Sequence, residues 1–438
     1  MKVKLITLAL GLAASTAVFA ASSDNAQLNN LQQQLQRLQG QVAALQSGNG
    51  GSTYTAGLGA YIGTDSALTW DMMSNYSGQG REMKILQARK AGHLGNHAVY
   101  FGGYAKVDAL WQVANRKDNA TSPRRFSNQY FSNGSFDGKN ATAIQLTDLN
   151  LLATADLNQW TTLFMQLGGQ GVGATGSSND IGFQQAYLLF GDLNQMPVYG
   201  FVGDKDVDFG NFASVNLYSQ PLNRTAFAAY GDQAGIGYTD YGFNVVATII
   251  NGGTNGRNLY TRHSGSLDNF AVSGDYGNQY KGADWKVGAG YLNGVNAEFM
   301  RAGGKNNGAW DINGQLSMMN FDVLGEYTAT TGKTRDNNSL AAWNVGLAYN
   351  FMLMGRHSKV SFGYSQAKGI NADDQSVVQY VVGARNELLP NVWGGIEWSY
   401  NNGIIVPSMG STRYTSTSFT TASKIHNNTV VLDLTAAF

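Results

Sequence analysis

From about residue 97 to the C-terminus, hydrophobic and polar positions alternate with a period of two. Over 99–113 one face carries Val99, Phe101, Gly103, Ala105, Val107, Ala109, Trp111 and Val113. The other carries Tyr100, Tyr104, Lys106, Asp108 and Gln112. Successive side chains of an extended strand point to opposite faces, so the pattern predicts a strand with one apolar and one polar face, long enough to cross a bilayer. It recurs in 243–250, 285–292, 310–318, 321–327, 343–351, 359–366, 378–385, 392–400 and 429–438. Together these segments predict an all-β fold, a transmembrane antiparallel β-barrel of about 16 strands (roughly 14–18 suit the same boundaries). The connections alternate in length. Long ones fall near 114–142, 171–179, 205–230, 252–266, 294–308, 331–339, 368–375 and 402–426. Short ones fall near Leu157-Asn158, Gln195-Met196-Pro197, Asp240, Gly282, Met319-Asn320, Gly355 and Leu389-Pro390. Bacterial barrels have short periplasmic turns and long external loops, and this order leaves both termini in the periplasm.

The chain before residue 97 follows other rules. Leu28, Leu31, Leu35, Leu38, Val42 and Leu45 are spaced 3-4-3-4-3, the a/d pattern of a coiled coil. Gln27, Gln32, Gln34, Gln39, Gln41 and Gln46 flank them, so 21–47 reads as a short helix that associates with copies of itself. Leu at most a and d positions leaves a trimer open. Residues 47–52, Ser-Gly-Asn-Gly-Gly-Ser, then form a tether. Residues 1–20 read as a signal peptide: Lys2 and Lys4 open it, 5–12 are apolar, and Val18-Phe19-Ala20 sets cleavage after Ala20. Within 48–96, a linker and a segment of open character, residues 53–62 and 82–90 either add two strands or pack as a periplasmic or lumenal piece. The barrel occupies 97–438.

Composition decides which face of the strands is inside. Charged residues are 13% of the chain against about 25% in ordinary soluble domains, aromatics reach 11%, and there are 55 glycines. A large soluble protein covers itself with charge; a lipid-facing one does not. Trp160 and Trp285 sit near one end of their strands, and Trp111, Trp310 and Tyr400 near the other, as the two aromatic belts of a membrane barrel require. The polar faces therefore point inward. The 29 basic residues less Lys2 and Lys4 leave 27 against 29 acidic, which gives no reason to expect a nucleic-acid partner. The chain has no Cys.

The last strand narrows the class. Val430, Leu432, Leu434, Ala436 and Phe438 alternate with Thr429, Val431, Asp433, Thr435 and Ala437, and the sequence stops at Phe438. In this it resembles the outer-membrane β-barrel proteins. That resemblance implies contact with outer-membrane lipid and an assembly signal at Phe438 read by the barrel-assembly machinery. With sixteen strands, a lumenal path for water and an N-terminal heptad segment, the layout resembles trimeric porins that carry a periplasmic coiled coil. The resemblance implies a homotrimer, passive diffusion of small hydrophilic solutes and ions, and a third external loop folded into the lumen. The third long connection here, 205–230, carries Lys205, Asp206, Asp208 and Arg224 among aromatics, and is the candidate constriction loop.

A channel's chemistry is its lining. The inward positions that bear charge are Lys106, Asp108, Lys286, Asp311, Asp322, Glu326, Lys359, Arg385, Glu397 and Asp433. Their mixed signs predict weak ion selectivity. No catalytic motif and no metal cluster is expected: His93, His97, His263, His357 and His426 stand outside any nucleophile or H-E-x-x-H pattern. The run 204–210 lacks the sixth-position Gly and twelfth-position Glu of an EF-hand. Gly171-Val172-Gly173-Ala174-Thr175-Gly176 leads into a polar loop in place of the helix a dinucleotide fingerprint needs. No enzyme activity and no cofactor follow. Two other functions suit the same barrel, a surface adhesin that binds a ligand through its loops or an envelope tether acting through the coiled coil, and a barrel hydrolase.

Overall fold

The computed structural model describes residues 54–55, 61–64, 80–95, 97–114, 140–169, 181–252, 259, 266–295, 307–333, 339–369, 376–402 and 426–438. The chain forms two units, Met1–Gly50 and Gly51–Phe438, and all described residues belong to the second. The signal peptide, the heptad segment and 171–176 lie outside the described residues.

Sixteen strands make the barrel: β3 (Ala98–Ala114), β4 (Asn140–Asp156), β5 (Thr161–Gly169), β6 (Ile181–Phe190), β7 (Val198–Asp206), β8 (Tyr230–Asp240), β9 (Phe243–Gly252) and β10 (Ser266–Tyr280) come first. They are followed by β11 (Ala283–Leu292), β12 (Ala309–Met318), β13 (Phe321–Thr330), β14 (Ala341–Leu353), β15 (Arg356–Lys368), β16 (Val377–Leu389), β17 (Val392–Asn402) and β18 (His426–Ala437). Each pairs antiparallel with the next, and β18 returns to pair with β3. The sheet is thus closed, which leaves no strand edge unpaired around the wall.

The period-two pattern sorts the side chains as expected. On β3, Phe101, Val107 and Trp111 are exposed on the outer face, while Lys106, Asp108 and Gln112 are buried inside. Outward aromatics meet in two rows. Near one end lie Trp310 against Tyr327 and the run Trp343, Tyr364, Tyr380, Tyr400. Near the other lie Phe243, Tyr276 and Trp285, with Phe321, Tyr349 and Phe351. The short turns sit at this second end; Tyr241-Gly242, Lys281-Gly282 and Met354-Gly355 take positive φ at both central residues, the hairpin geometry that matches strand twist.

The seam between β18 and β3 carries extra fastening. Phe438 donates its N–H to the Gly103 carbonyl at 2.9 Å and accepts from the Gly103 N–H at 3.1 Å. Lys106 on β3 pairs with Asp433 on β18 at 3.3 Å. Where β18 ends, a short strand takes over its edge of β3. This is β2 (Tyr61–Thr64), which runs parallel to Ala98–Phe101 and pairs with β1 (Tyr54–Thr55).

Residues 82–90 do not add a strand. They belong to a helix, α1 (Arg81–Lys90), whose sequence REMKILQARK consists largely of good helix formers, with neither Gly nor Pro. It lies inside the barrel, where Ile85 and Leu86 are buried with the inward side chains Leu152, Phe164, Tyr187, Leu189, Tyr199 and Phe201.

A Cβ on Gly103 would stand 2.7 Å from the Asn150 carbonyl and 2.8 Å from the Phe438 ring. Gly103→Val should therefore strain the seam by about 1–3 kcal/mol. Denaturant titration of the folded, heat-modifiable gel band should show a lower midpoint.

Candidate functional site: the lumen and its two inserts

The third long connection, 207–229, turns into the barrel. It leaves β7 and runs along the inner wall toward the seam, then returns through a short helix, α2 (Leu222–Phe227), to β8. Irregular backbone inside a barrel needs hydrogen-bond partners, and two wall carboxylates supply them. Glu326 on β13 accepts from the Asn211 N–H at 2.7 Å, the Phe212 N–H at 2.8 Å and Asn223 Nδ2 at 2.7 Å. It so ties the outgoing limb to the returning one. Glu397 on β17 accepts from the N–H groups of Leu217, Tyr218 and Ser219, each at 2.8 Å. Lys106 Nζ donates to the Leu217 carbonyl at 2.8 Å from the other side.

The connection also fits a trench in the wall. A Cβ on inward-facing Gly346 would meet Val215 at 2.8 Å, one on Gly363 would meet Asn216 at 2.5 Å, and one on Gly395 would meet Leu217 at 2.8 Å. Its apolar side chains Phe209, Phe212, Leu222 and Phe227 are buried with small wall residues such as Ala271, Ala309, Ala342 and Ala367. Glycine at 210 is needed for the sharp entry: its φ is +71°, and a Cβ there would meet the Phe212 ring and Glu326.

The second insert is α1. Ile85 and Leu86 are fully buried, worth about 1.5–3 kcal/mol each. Arg81 hydrogen-bonds Gln166 on β5. Arg89 reaches Thr162 Oγ1 and the Asn158 carbonyl, both at 3.0 Å, and lies 3.7 Å from Asp156. The two inserts meet at Lys205, the inward penultimate residue of β7. Its Nζ lies 2.6 Å from Asp208 at the start of the connection and 3.3 Å from Glu82 of α1, with all three groups buried. One cation between two carboxylates is electrostatically incomplete. Burial first, and then the Asp208 charge, push the Glu82 carboxyl up to about 7 against the pull of Lys205.

Between these inserts and the far wall a cavity of about 660 Å³ remains. Its walls include Glu82, Met83, Lys84, Gln87 and Lys90 of α1, Asp208, Gly210 and Asn211 of the connection, and Asn244, Ser273, Asp275, Lys286 and Asn313 of β9 to β12. It reaches the short-turn rim at 193–197 and 239–242. Lys286 and Asp275 pair along its β10–β11 wall at 2.7 Å, and Lys286 keeps 44% of its side-chain surface exposed.

Of the charges expected to line a path, Lys286 does face this cavity. Glu326, Glu397 and Lys106 point inward but are buried as anchors of the connection. Asp108 is buried beside its cross-strand neighbour Asp433, and Asp311 accepts from Asn313 and Thr328. Asp322 accepts from Ser317 and Asn350 at the short-turn end, while Lys359 and Arg385 are cross-strand neighbours, both half-buried. Within 205–230, Lys205 and Asp208 form the latch to α1, Asp206 accepts from Gln185 at 2.9 Å, and Arg224 is half-buried on α2. The cavity-facing residues of α1 were not singled out by the sequence. The face opposite them carries Arg81 and Arg89, which hides the hydrophobic period.

Glu397→Ala removes the acceptor of three buried N–H groups, each costing about 1–3 kcal/mol when unpaired. Amide exchange at 217–219 should rise sharply while the strands stay protected. Docking of α1 should depend on pH. A carboxyl raised from 4.5 to about 7 holds its proton more tightly when docked, so its contribution is full below 4.5 and lost as pH climbs through about 7. The groups around Glu82 are Lys205, Asp208, Arg81, Tyr187 and Tyr199. Rate-corrected exchange at 81–90 should therefore be faster at pH 8 than at pH 5, and Glu82→Gln should flatten the difference.

No protein-family model matches the chain, and no curated protein matches it in sequence. Solved structures do match in shape. The anion-selective porin from Comamonas acidovorans is 12% identical with a TM-score of 0.53, over 78% of this chain and 99% of that chain. The outer membrane channel DcaP of Acinetobacter baumannii is 13% identical with a TM-score of 0.51, over 78% and 97%. OmpF of Salmonella typhi, in complex with daunomycin, is 12% identical with a TM-score of 0.51, over 78% and 97%. At such identities the likeness is one of fold. The chain has the fold of the outer-membrane porins, a closed 16-stranded transmembrane barrel, and here the third long connection lies in the lumen.

Proposed function

We propose that this protein is an outer-membrane channel for passive diffusion of small hydrophilic solutes and ions. The observation that carries the reading is the polar cavity of about 660 Å³ left beside the two inserts. A single water needs only about 10–15 Å³ of such space, so the cavity has room for many waters and small solutes, and it reaches the short-turn rim. Its lining of Asn, Ser, Gln and charges of both signs suits ions and small polar molecules and offers no deep apolar pocket for one ligand.

The working unit in this proposal is a homotrimer, with 21–47 forming a periplasmic coiled coil. Three short heptads are marginal alone, but they add to an interface already held by the barrels, since tethering raises their effective concentration. Phe438, whose backbone also closes the seam, serves in the same scheme as the signal read by the barrel-assembly machinery.

Planar-bilayer recording of the purified protein tests the reading. Discrete, repeated conductance steps are expected, grouped in threes for a trimer. Folded protein that stays electrically silent would overturn the channel.

A further inference from the structure

The two inserts differ in what they offer to the cavity. The connection 207–229 lies flat in its glycine trench, turns its apolar side chains to the wall and spends its polar backbone on Glu326 and Glu397. It borders the cavity only with Asp208, Gly210 and Asn211. Helix α1 stands proud of the opposite wall. At 100° per residue, Arg81, Ile85, Leu86 and Arg89 fall on one face, and these hold the β4–β7 wall. Met83, Lys84, Gln87 and Lys90 fall on the opposite face and line the cavity. Gln87 and Lys90 are exposed and Lys84 is half-buried.

The charge on that face has one sign. Lys84 and Lys90 are basic, and the helix's one carboxylate, Glu82, borders the cavity from the buried face, 3.3 Å from Lys205. Of the other carboxylates on the cavity, Asp208 lies 2.6 Å from Lys205 and Asp275 2.7 Å from Lys286, and Asp240 sits at the short-turn rim. The helix is also held firmly enough to act as a wall, through its two arginines, its buried Ile85 and Leu86, and the Lys205 latch.

We propose that the cavity-facing side of α1 is the selectivity surface of this channel: Gln87 sets the width, and Lys84 and Lys90 receive the anionic group, carboxylate or phosphate, of a permeating solute. This rests on the channel reading and adds that the helix, more than the third connection, discriminates among solutes. Such a solute would slide along a basic strip a turn and a half long while its uncharged part faces the Asn and Ser side chains opposite.

Because the natural chain has no Cys, Gln87→Cys gives a unique thiol on the exposed side of the helix. Single-channel conductance is recorded before and after treatment with a negatively charged and a positively charged methanethiosulfonate, and mass spectrometry confirms labelling. Lys281→Cys, on an exposed turn, is the labelled control. Conductance of the Gln87→Cys channel should fall on the order of twofold with either reagent, and the control should stay unchanged. In a potassium chloride gradient, the double variant Lys84→Gln, Lys90→Gln should shift the reversal potential toward cations. A wild-type channel that conducts normally, with labelled Gln87→Cys equally conductive and the reversal potential unmoved, would overturn the assignment and leave the channel standing. A silent wild type would overturn both.

Discussion

Backbone pairing is the constraint on which the rest of this molecule depends. In hydrocarbon an unpaired N–H or C=O costs several kcal/mol, so a spanning sheet must close on itself. Sixteen strands do so here, with β18 returning to β3 and Phe438 completing the last pair. The same requirement follows the chain indoors. The segment 207–229 is irregular, and it lies in the lumen because Glu326 and Glu397 accept the N–H groups that no neighbouring strand can reach. Carboxylates that look like pore charges are, in this setting, substitutes for a missing strand.

The wall explains why there are two inserts. Toward β13–β17 it is cut back to glycine and alanine, so a loop can lie flush against it. Toward β4–β7 the inner face carries Leu152, Phe164, Tyr187, Leu189 and Phe201, which water alone would solvate poorly. Helix α1 covers that patch and brings a polar face in exchange. The cavity that remains lies toward β8–β12, where Thr239, Asn244, Ser273 and Asn313 are among its lining residues.

Much of this was legible in the sequence, for identifiable reasons. Strict alternation on β3, β12 and β18 fixes both strand and face, because a one-residue slip would put Lys106 or Asp433 into lipid. The aromatics of 205–230 mark a connection that must bury itself, and it does. Helix α1 was harder to see. Only Ile85 and Leu86 are large and apolar and buried, the other buried positions are Arg81 and Glu82, and their burial depends on Gln166 and Lys205, far away in sequence. Nor does alternation tell an inward charge that meets water from one that meets a loop. Glu326 and Lys286 occupy equivalent inward positions, yet one is a clamp and the other borders the cavity.

The grip on Leu217 has a consequence for how the molecule comes into being. Its carbonyl is taken by Lys106 on the first strand of the barrel, and its N–H by Glu397 on the last strand but one. Those two strands lie some 290 residues apart and are brought together only by β18, which pairs with both. Glu326 can hold the near part of the connection while the sheet is still an open ribbon. The far part has no complete seat until the two ends of the sheet have met. The tip of the connection is thus a clasp that fastens last, and its docked state is a record, written into the finished protein, that the cylinder has closed.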